Sequence, residues 1–296
     1  MSVTQARAVA PILIALALAS SACSRPRPVQ ARPALFLVAD ADTQIWLFGT
    51  VHVLPDNVRW ESPAIDQAIN QADALVTEIP DAQLRHGAAT FDAIATAGNL
   101  PPALSRVPDK QRQALLAAID SAGLTAAQAD RLKTWALATI IASASARAAG
   151  ASRDAGLETR LAGRFQSRGK PQRAFESLEG QLALFDQLSE ADQRALLTAT
   201  LADIGNPARG YRATLDAWAI GDTNRVAASV NPLFRDRPML EEKLLTGRNR
   251  RWAAWIAGRM RQPGTLFVAV GAGHLAGPKS VIAMLRARGL AVQRVQ

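Results

Sequence analysis

Leu47-Phe48-Gly49-Thr50-Val51-His52, and near the other end of the chain Val268-Ala269-Val270-Gly271-Ala272-Gly273-His274, decide how this sequence is read. In each stretch an apolar run enters a glycine, and a histidine follows three residues later. Such short apolar runs suit buried strands. Glycine lets the chain turn sharply and lets other groups approach its backbone. Each imidazole therefore projects just beyond the C-terminal end of a strand, the edge of an open α/β sheet at which ligands bind. A third apolar run, residues 74–79, is interrupted by Glu78 and stopped by Pro80. A carboxylate in such a run is costly to bury unless something compensates it. Three strand ends thus offer His52, Glu78 and His274 to one crevice.

The rest of the chain organises around these ends. Residues 34–39 and 44–48 are apolar runs joined by a polar turn, which predicts a hairpin. Ser62 caps a helix that carries Pro63 in its first turn, with Ile65, Ala68, Ile69 and Ala72 on one face. The long middle, about residues 81–247, is rich in Ala, Leu, Arg and Gln and reads as successive amphipathic helices. Helices are expected over residues 109–122, 125–149 and 186–202, and a short strand within residues 170–178. Strand character returns over residues 265–270. A glycine-rich turn, a helix from Pro278 to Arg288 stopped by Gly289, and a last strand over residues 291–295 follow. The fold class is α/β with an α+β tendency. N- and C-terminal segments build a mixed sheet, and a large helical insertion separates them, all in one domain over residues 34–296.

The 296 residues carry a net charge of +9, mostly through 29 arginines against 5 lysines. No nucleic-acid motif accompanies the excess. There is one Tyr, and no basic run is interleaved with aromatics for stacking. Arg248, Arg250 and Arg251 form the densest basic cluster and read as a solvated helix face. Residues 8–19 are apolar but too short to span a bilayer comfortably, and Arg7 precedes them. Residues 1–22 thus read as an export signal, which implies a periplasmic or membrane-anchored protein of the cell envelope. Ser20-Ser21-Ala22-Cys23 resembles a lipoprotein box, with Cys23 as the lipidated residue and its lipid as a membrane anchor. Ordinary signal cleavage and an uncleaved anchor stay open. Residues 23–33 read as a proline- and arginine-rich tether. With Cys23 the only cysteine, an intramolecular disulfide and a multi-cysteine zinc site are excluded.

Two neutral imidazoles and a carboxylate suit a divalent metal with positions left for water. Such an ion would supply hydroxide at neutral pH. The same groups could also act without metal as acid and base, or each His could cap its strand end. His86 lacks the glycine frame and reads as a loop or surface residue. The sequence has no His-Glu-x-x-His helix and no Gly-x-Ser-x-Gly elbow. The glycines at 271, 273 and 277 match a dinucleotide fingerprint only weakly, because no acidic residue follows for a ribose.

The segments Leu47 to His52, Val76-Thr77-Glu78, Arg248-Asn249 before Trp252, and Val268 to Leu275 together resemble the TraB/GumN family. That family includes the pheromone-shutdown and Tiki proteins, and its scaffold is similar to that of ChaN-like and erythromycin-esterase-like proteins. The resemblance spans residues 34–295 and touches Trp135 and Leu178-Glu179. Thr134 stands where relatives often carry proline at a helix start. The resemblance to the Tiki branch implies a metal-dependent peptidase with His52 and His274 as ligands of Mn, Co or Zn, and Glu78 as ligand or general base. It implies that Arg248 and Asn249 hold an oxyanion or a substrate carboxylate. Three functions stay open: metal-dependent hydrolysis of a peptide or small-molecule substrate in the envelope, metal-independent esterase-like hydrolysis, and non-catalytic binding of haem or a peptide.

Overall fold

The computed structural model describes residues 28–204 and 210–296. The export signal read in residues 1–22 and the lipidation site Cys23 lie outside them. The centre is a six-stranded mixed sheet. Its strands are β1 (Leu35–Ala39), β2 (Thr43–Thr50), β3 (Ala74–Thr77), β4 (Gln172–Ala174), β5 (Gly264–Gly271) and β6 (Val292–Arg294), in the order β6-β1-β2-β5-β3-β4. Strands β2, β5, β3 and β4 run parallel, while β1 and β6 add an antiparallel margin. Thr50 lies beside Gly271, and Thr77 beside Ala269. Both Gly-x-x-His segments and Glu78 therefore leave the sheet at one edge, from three adjacent strands.

Alternation along the strands builds a core on each face. Trp46, Phe48, Phe267 and Ala269 point to one side. There they pack on Ile65, Ala68 and Ile69 of the Pro63–Gln71 helix and on Leu161 and Phe165 of the Leu157–Gln166 helix. Ile45, Leu47, Leu266, Val268 and Val270 point to the other. They meet Trp252 and Ile256 of the Gly247–Arg259 helix and Ile282 and Leu285 of the Val281–Ala287 helix. The result is a sheet between two helical layers, with parallel strands buried on both faces. The insertion has a separate core around Trp135, Leu115 and Leu197.

Several boundaries differ from the sequence reading, and long-range contacts explain them. The helix expected over residues 125–149 is two, Ala126–Arg131 and Thr134–Ala148. Leu132 is extended and bridges Thr96, and the Lys133 N–H donates to the Ala95 carbonyl at 2.7 Å. The helix expected over residues 186–202 begins only at Glu190, after a separate Leu178–Asp186 helix. The tether ends earlier than Pro33. Val29–Gln30 pairs in parallel with Val58–Arg59, and Ala31 is fully buried. The last helix starts at Val281, because the Ser280 hydroxyl caps it and leaves Pro278 outside.

One close approach fixes the end of β2. The Leu157 N–H donates to the Val51 carbonyl at 3.3 Å, which seats the Leu157–Gln166 helix beside His52. A side chain at Gly156 would collide with the His52 carbonyl oxygen. Gly156→Ala is therefore expected to lose about 1–3 kcal/mol, the usual cost of overpacking. Denaturant unfolding measures it, and an unchanged midpoint would mean that this contact is not tight.

Candidate functional site

Three of the sequence-selected residues meet at a single buried point. Glu78, one residue past β3, is 5% exposed, and His274, in the turn after β5, is 8% exposed. His274 Nε2 lies 3.8 Å from Glu78 Oε1. Between them stands the guanidinium of Arg248, from the first turn of the Gly247–Arg259 helix. Its Nη2 donates to Glu78 Oε2 at 2.5 Å, and its Nη1 lies 3.0 Å from His274 Nε2. Gly271 closes the arrangement by donating its N–H to Glu78 Oε1 at 2.6 Å. A Cβ at Gly271 would lie 3.1 Å from that oxygen, so the glycine permits the approach. Gln181 adds a bond to Glu78 Oε2 at 3.2 Å.

The helix is phased for this contact by a five-residue π segment, Glu242–Thr246, just before Gly247. Wide turns of this kind inside helices often occur at functional sites. Arg248 and Asn249 then both face inward although they are neighbours in the chain. Asn249 Nδ2 donates to the Lys279 carbonyl at 2.8 Å, so its Oδ1 must face the 2.6 Å contact with His274 Nδ1. A carbonyl oxygen accepts, so Nδ1 carries the ring hydrogen and Nε2 offers its lone pair to Arg248. Burial is the main cause that pulls the His274 pKa down to about 4, and Arg248 pulls the same way while Glu78 opposes. His274 is therefore neutral at pH 7. Burial pushes Glu78 up, but the neighbouring His274 and Arg248 and the Gly271 N–H outweigh it and hold the carboxyl at about 2. With His274 neutral, Arg248, the charged His52 and the Gly271 N–H carry that stabilisation at neutral pH.

The hydrogen bonds of Arg248 and Asn249 run to protein groups. Arg248 Nε bonds Glu176, Nη1 bonds the Leu244 carbonyl and His274, and Nη2 bonds Glu78 and lies 2.9 Å from Glu176 as an ion pair. All three nitrogens of the guanidinium are thus engaged with protein groups, which argues against its holding an oxyanion or a substrate carboxylate in this arrangement. Asn249 likewise spends its amide on His274 and Lys279, which makes it a positioning residue. Arg248 is buried and so departs from the solvated face expected of its cluster, while Arg250 and Arg251 are exposed.

His52 sits apart from this knot at the neighbouring strand end. Its side chain is 70% exposed, and its Nδ1 lies 2.7 Å from Glu158 Oε1. Glu158 is buried and also accepts from the Thr50 hydroxyl at 2.6 Å. The Glu158 carboxylate raises the His52 pKa to about 9, against a lowering by burial. Burial alone would raise Glu158, yet the charge and hydrogen bonds of His52 and Thr50 leave it lowered. Among the described residues, none bonds His52 Nε2. His86 ends the Asp81–His86 helix, exposed as expected, beside a recess of about 420 Å³ that Ser177 and Glu179 also line.

Glu158 and Glu176 were not singled out from the sequence. Glu158 had a signal, because it falls among Leu157, Leu161, Ala162 and Phe165 on the buried stripe of its helix. Glu176 lies just past β4, another carboxylate at a strand end, but a three-residue strand shows no periodicity by which to place that end.

The sequence-selected ligand set does not fit a divalent ion as it stands. The His274 lone pair and Glu78 Oε2 already receive hydrogen bonds from a cation lying between them. Among the described residues, no three His, Cys, Asp or Glu side chains converge to hold a metal.

The TraB/PrgY/gumN family model matches residues 34–294. The Escherichia coli (strain K12) protein YbaP, described as uncharacterized, is 24% identical over 257 residues, 86% of this chain and 92% of its own length. No solved structure matches the chain significantly.

The buried neutral imidazole sets a pH dependence. In the unfolded chain His274 titrates at its ordinary 6.5, and in the fold at about 4. Its stabilisation is complete above 6.5 and is lost as the pH falls toward 4, worth about 3 kcal/mol. Stability measured across that window should fall less steeply in His274→Gln than in the wild type. Parallel pH curves for the two proteins would contradict this assignment.

Proposed function

The chain belongs to the TraB/PrgY/gumN family, and from its site we propose that it is a hydrolase of acyl compounds, amide or ester, whose proton transfers run on His52. The observation that carries this reading is the 2.7 Å contact between His52 Nδ1 and the buried Glu158, which leaves Nε2 facing outward.

The choice falls to His52 by elimination. A general base needs a pKa high enough to take the proton and an atom free to reach the substrate. Glu78, held at about 2, is too weak a base, and its oxygens are occupied. His274, held at about 4, has its lone pair against Arg248 and its other nitrogen on Asn249. Glu158 fixes the His52 tautomer with hydrogen on Nδ1 and stabilises the imidazolium. In the neutral form, a minor population at pH 7 that grows as the pH rises toward 9, Nε2 removes a proton from water as the water oxygen bonds to the acyl carbon. The resulting imidazolium returns that proton to the leaving nitrogen or oxygen as its bond to the acyl carbon breaks. Glu78, Arg248 and His274 form a rigid polar floor beside it.

The export signal read in residues 1–22 supports an envelope location for this chemistry. Among the described residues, no helix is long and apolar enough to cross a membrane.

p-Nitrophenyl esters and an unbiased peptide library are the probes. Turnover of at least one should persist with chelator present and fall by about 10²-fold or more in His52→Ala. Glu158→Gln should move the His52 titration, followed by its imidazole NMR signals, from about 9 down toward the ordinary 6.5. The rising, low-pH limb of the rate profile should move down with it. A wild type inert toward both probes, or a His52→Ala variant with full turnover, would end the hydrolase reading.

A further inference from the structure

The three groups that hold Arg248 are a donor set in their own right. Glu78 Oε2 and Glu176 Oε2 meet the same nitrogen, Nη2, at 2.5 and 2.9 Å, and His274 Nε2 lies 3.0 Å from the adjacent Nη1. Two carboxylates and the lone pair of a neutral imidazole thus converge on one buried cation. Mn²⁺, Co²⁺ and Zn²⁺ take these donor types. This set differs from the one read from the sequence, because it contains Glu176 and leaves out His52.

The cation is also anchored where it stands. The guanidinium carbon lies 4.7 Å from the centre of the Trp252 ring, and that ring is 4.5 Å from the His274 ring. Arg251, one turn along the helix, reaches Glu176 at 3.5 Å. Two arginines of one helix therefore supply two positive charges to two carboxylates, the charge that a divalent ion would bring. A guanidinium is larger than an ion and holds its partners apart, and no three acidic or imidazole side chains among the described residues close on a point.

We propose that Arg248 is a resident cation in the place a divalent ion would take, and that its removal turns Glu78, Glu176 and His274 into a metal site. Removing the guanidinium leaves the buried Glu78 and the part-buried Glu176 with only the exposed Arg251 as a neighbouring cation, which favours the uptake of another cation. This holds whether or not the hydrolase reading holds, because the readout is metal binding and not turnover.

The test compares the wild type, Arg248→Ala and Arg248→Lys in equilibrium dialysis against Mn²⁺, Co²⁺ or Zn²⁺, followed by elemental analysis. The wild type and Arg248→Lys should retain only traces, since both keep a positive charge at the point. Arg248→Ala should retain close to one ion per chain, and Arg248→Ala with Glu176→Gln should bind about tenfold more weakly or worse. Guanidinium ion at sub-denaturing concentration should compete with the metal in Arg248→Ala. If Arg248→Ala is unstable alone, metal should raise its melting temperature by mass action while leaving the wild type unmoved. One tightly held ion in the wild type would overturn the proposal. So would an Arg248→Ala chain that neither retains metal nor is stabilised by it.

Discussion

A guanidinium buried among two carboxylates and a neutral imidazole is the constraint that orders this end of the molecule. Burying a charge is tolerable only when it is paired and fully hydrogen-bonded. Arg248 meets that condition with partners from distant parts of the chain: Glu78 after β3, Glu176 after β4 and His274 after β5. Taking away one partner of such a buried pair commonly costs about 3–5 kcal/mol. Three parallel strands must therefore end in step, and the Gly247–Arg259 helix must present its first turn at one depth and rotation. The π segment before Gly247 provides that rotation, and the missing side chain of Gly271 lets Glu78 reach the backbone.

Two imidazoles in the same Gly-x-x-His frame end with opposite electrostatics. His52 faces a carboxylate and opens to water, and its pKa rises to about 9. His274 is walled in by Trp252 and faces an arginine, and its pKa falls to about 4. The backbone frame aims each ring beyond a strand end but does not decide its charge. The surroundings decide that: the Glu158 carboxylate for His52, and for His274 chiefly burial, with Arg248 acting in the same direction. This division leaves one imidazole open to water and titrating at about 9, and makes the other a fixed acceptor.

Much of the fold could be read from the sequence because its signals are local. The apolar runs ending in glycine gave β2 and β5, and Ser62 with Pro63 gave the first helix start. The early end of the tether and the helix break at Leu132 were not legible. Each depends on a partner far along the chain, Val58 for Val29 and Ala95 for Lys133. The site shows the same split. Glu78 and His274 were read as residues that meet, together with His52, which stands apart; Arg248 and Asn249 were candidates only through the resemblance, and their contacts with Glu78 and His274 were not legible. A role depends on which hydrogen-bonding atoms remain unspent, and that count exists only in three dimensions. Glu158 is the exception, since an acid on an apolar helical stripe can be noticed in one dimension.

The architecture separates what holds the site from what can vary in it. The sheet edge, the glycines and the helix after the π segment fix three donor groups around a point. What occupies the point is set by residue 248 alone, from a helix the strands do not need for their pairing. Arg251 also adds charge, but it is exposed and screened by water, so it cannot replace the buried cation. On the proposal made above, a single side chain decides whether the donors face a fixed guanidinium or are free for an exchangeable ion. That is a physical route by which one scaffold can support different chemistry without changing its fold. In this chain the point is filled by the Arg248 guanidinium, while at the neighbouring strand end His52 stands open to water.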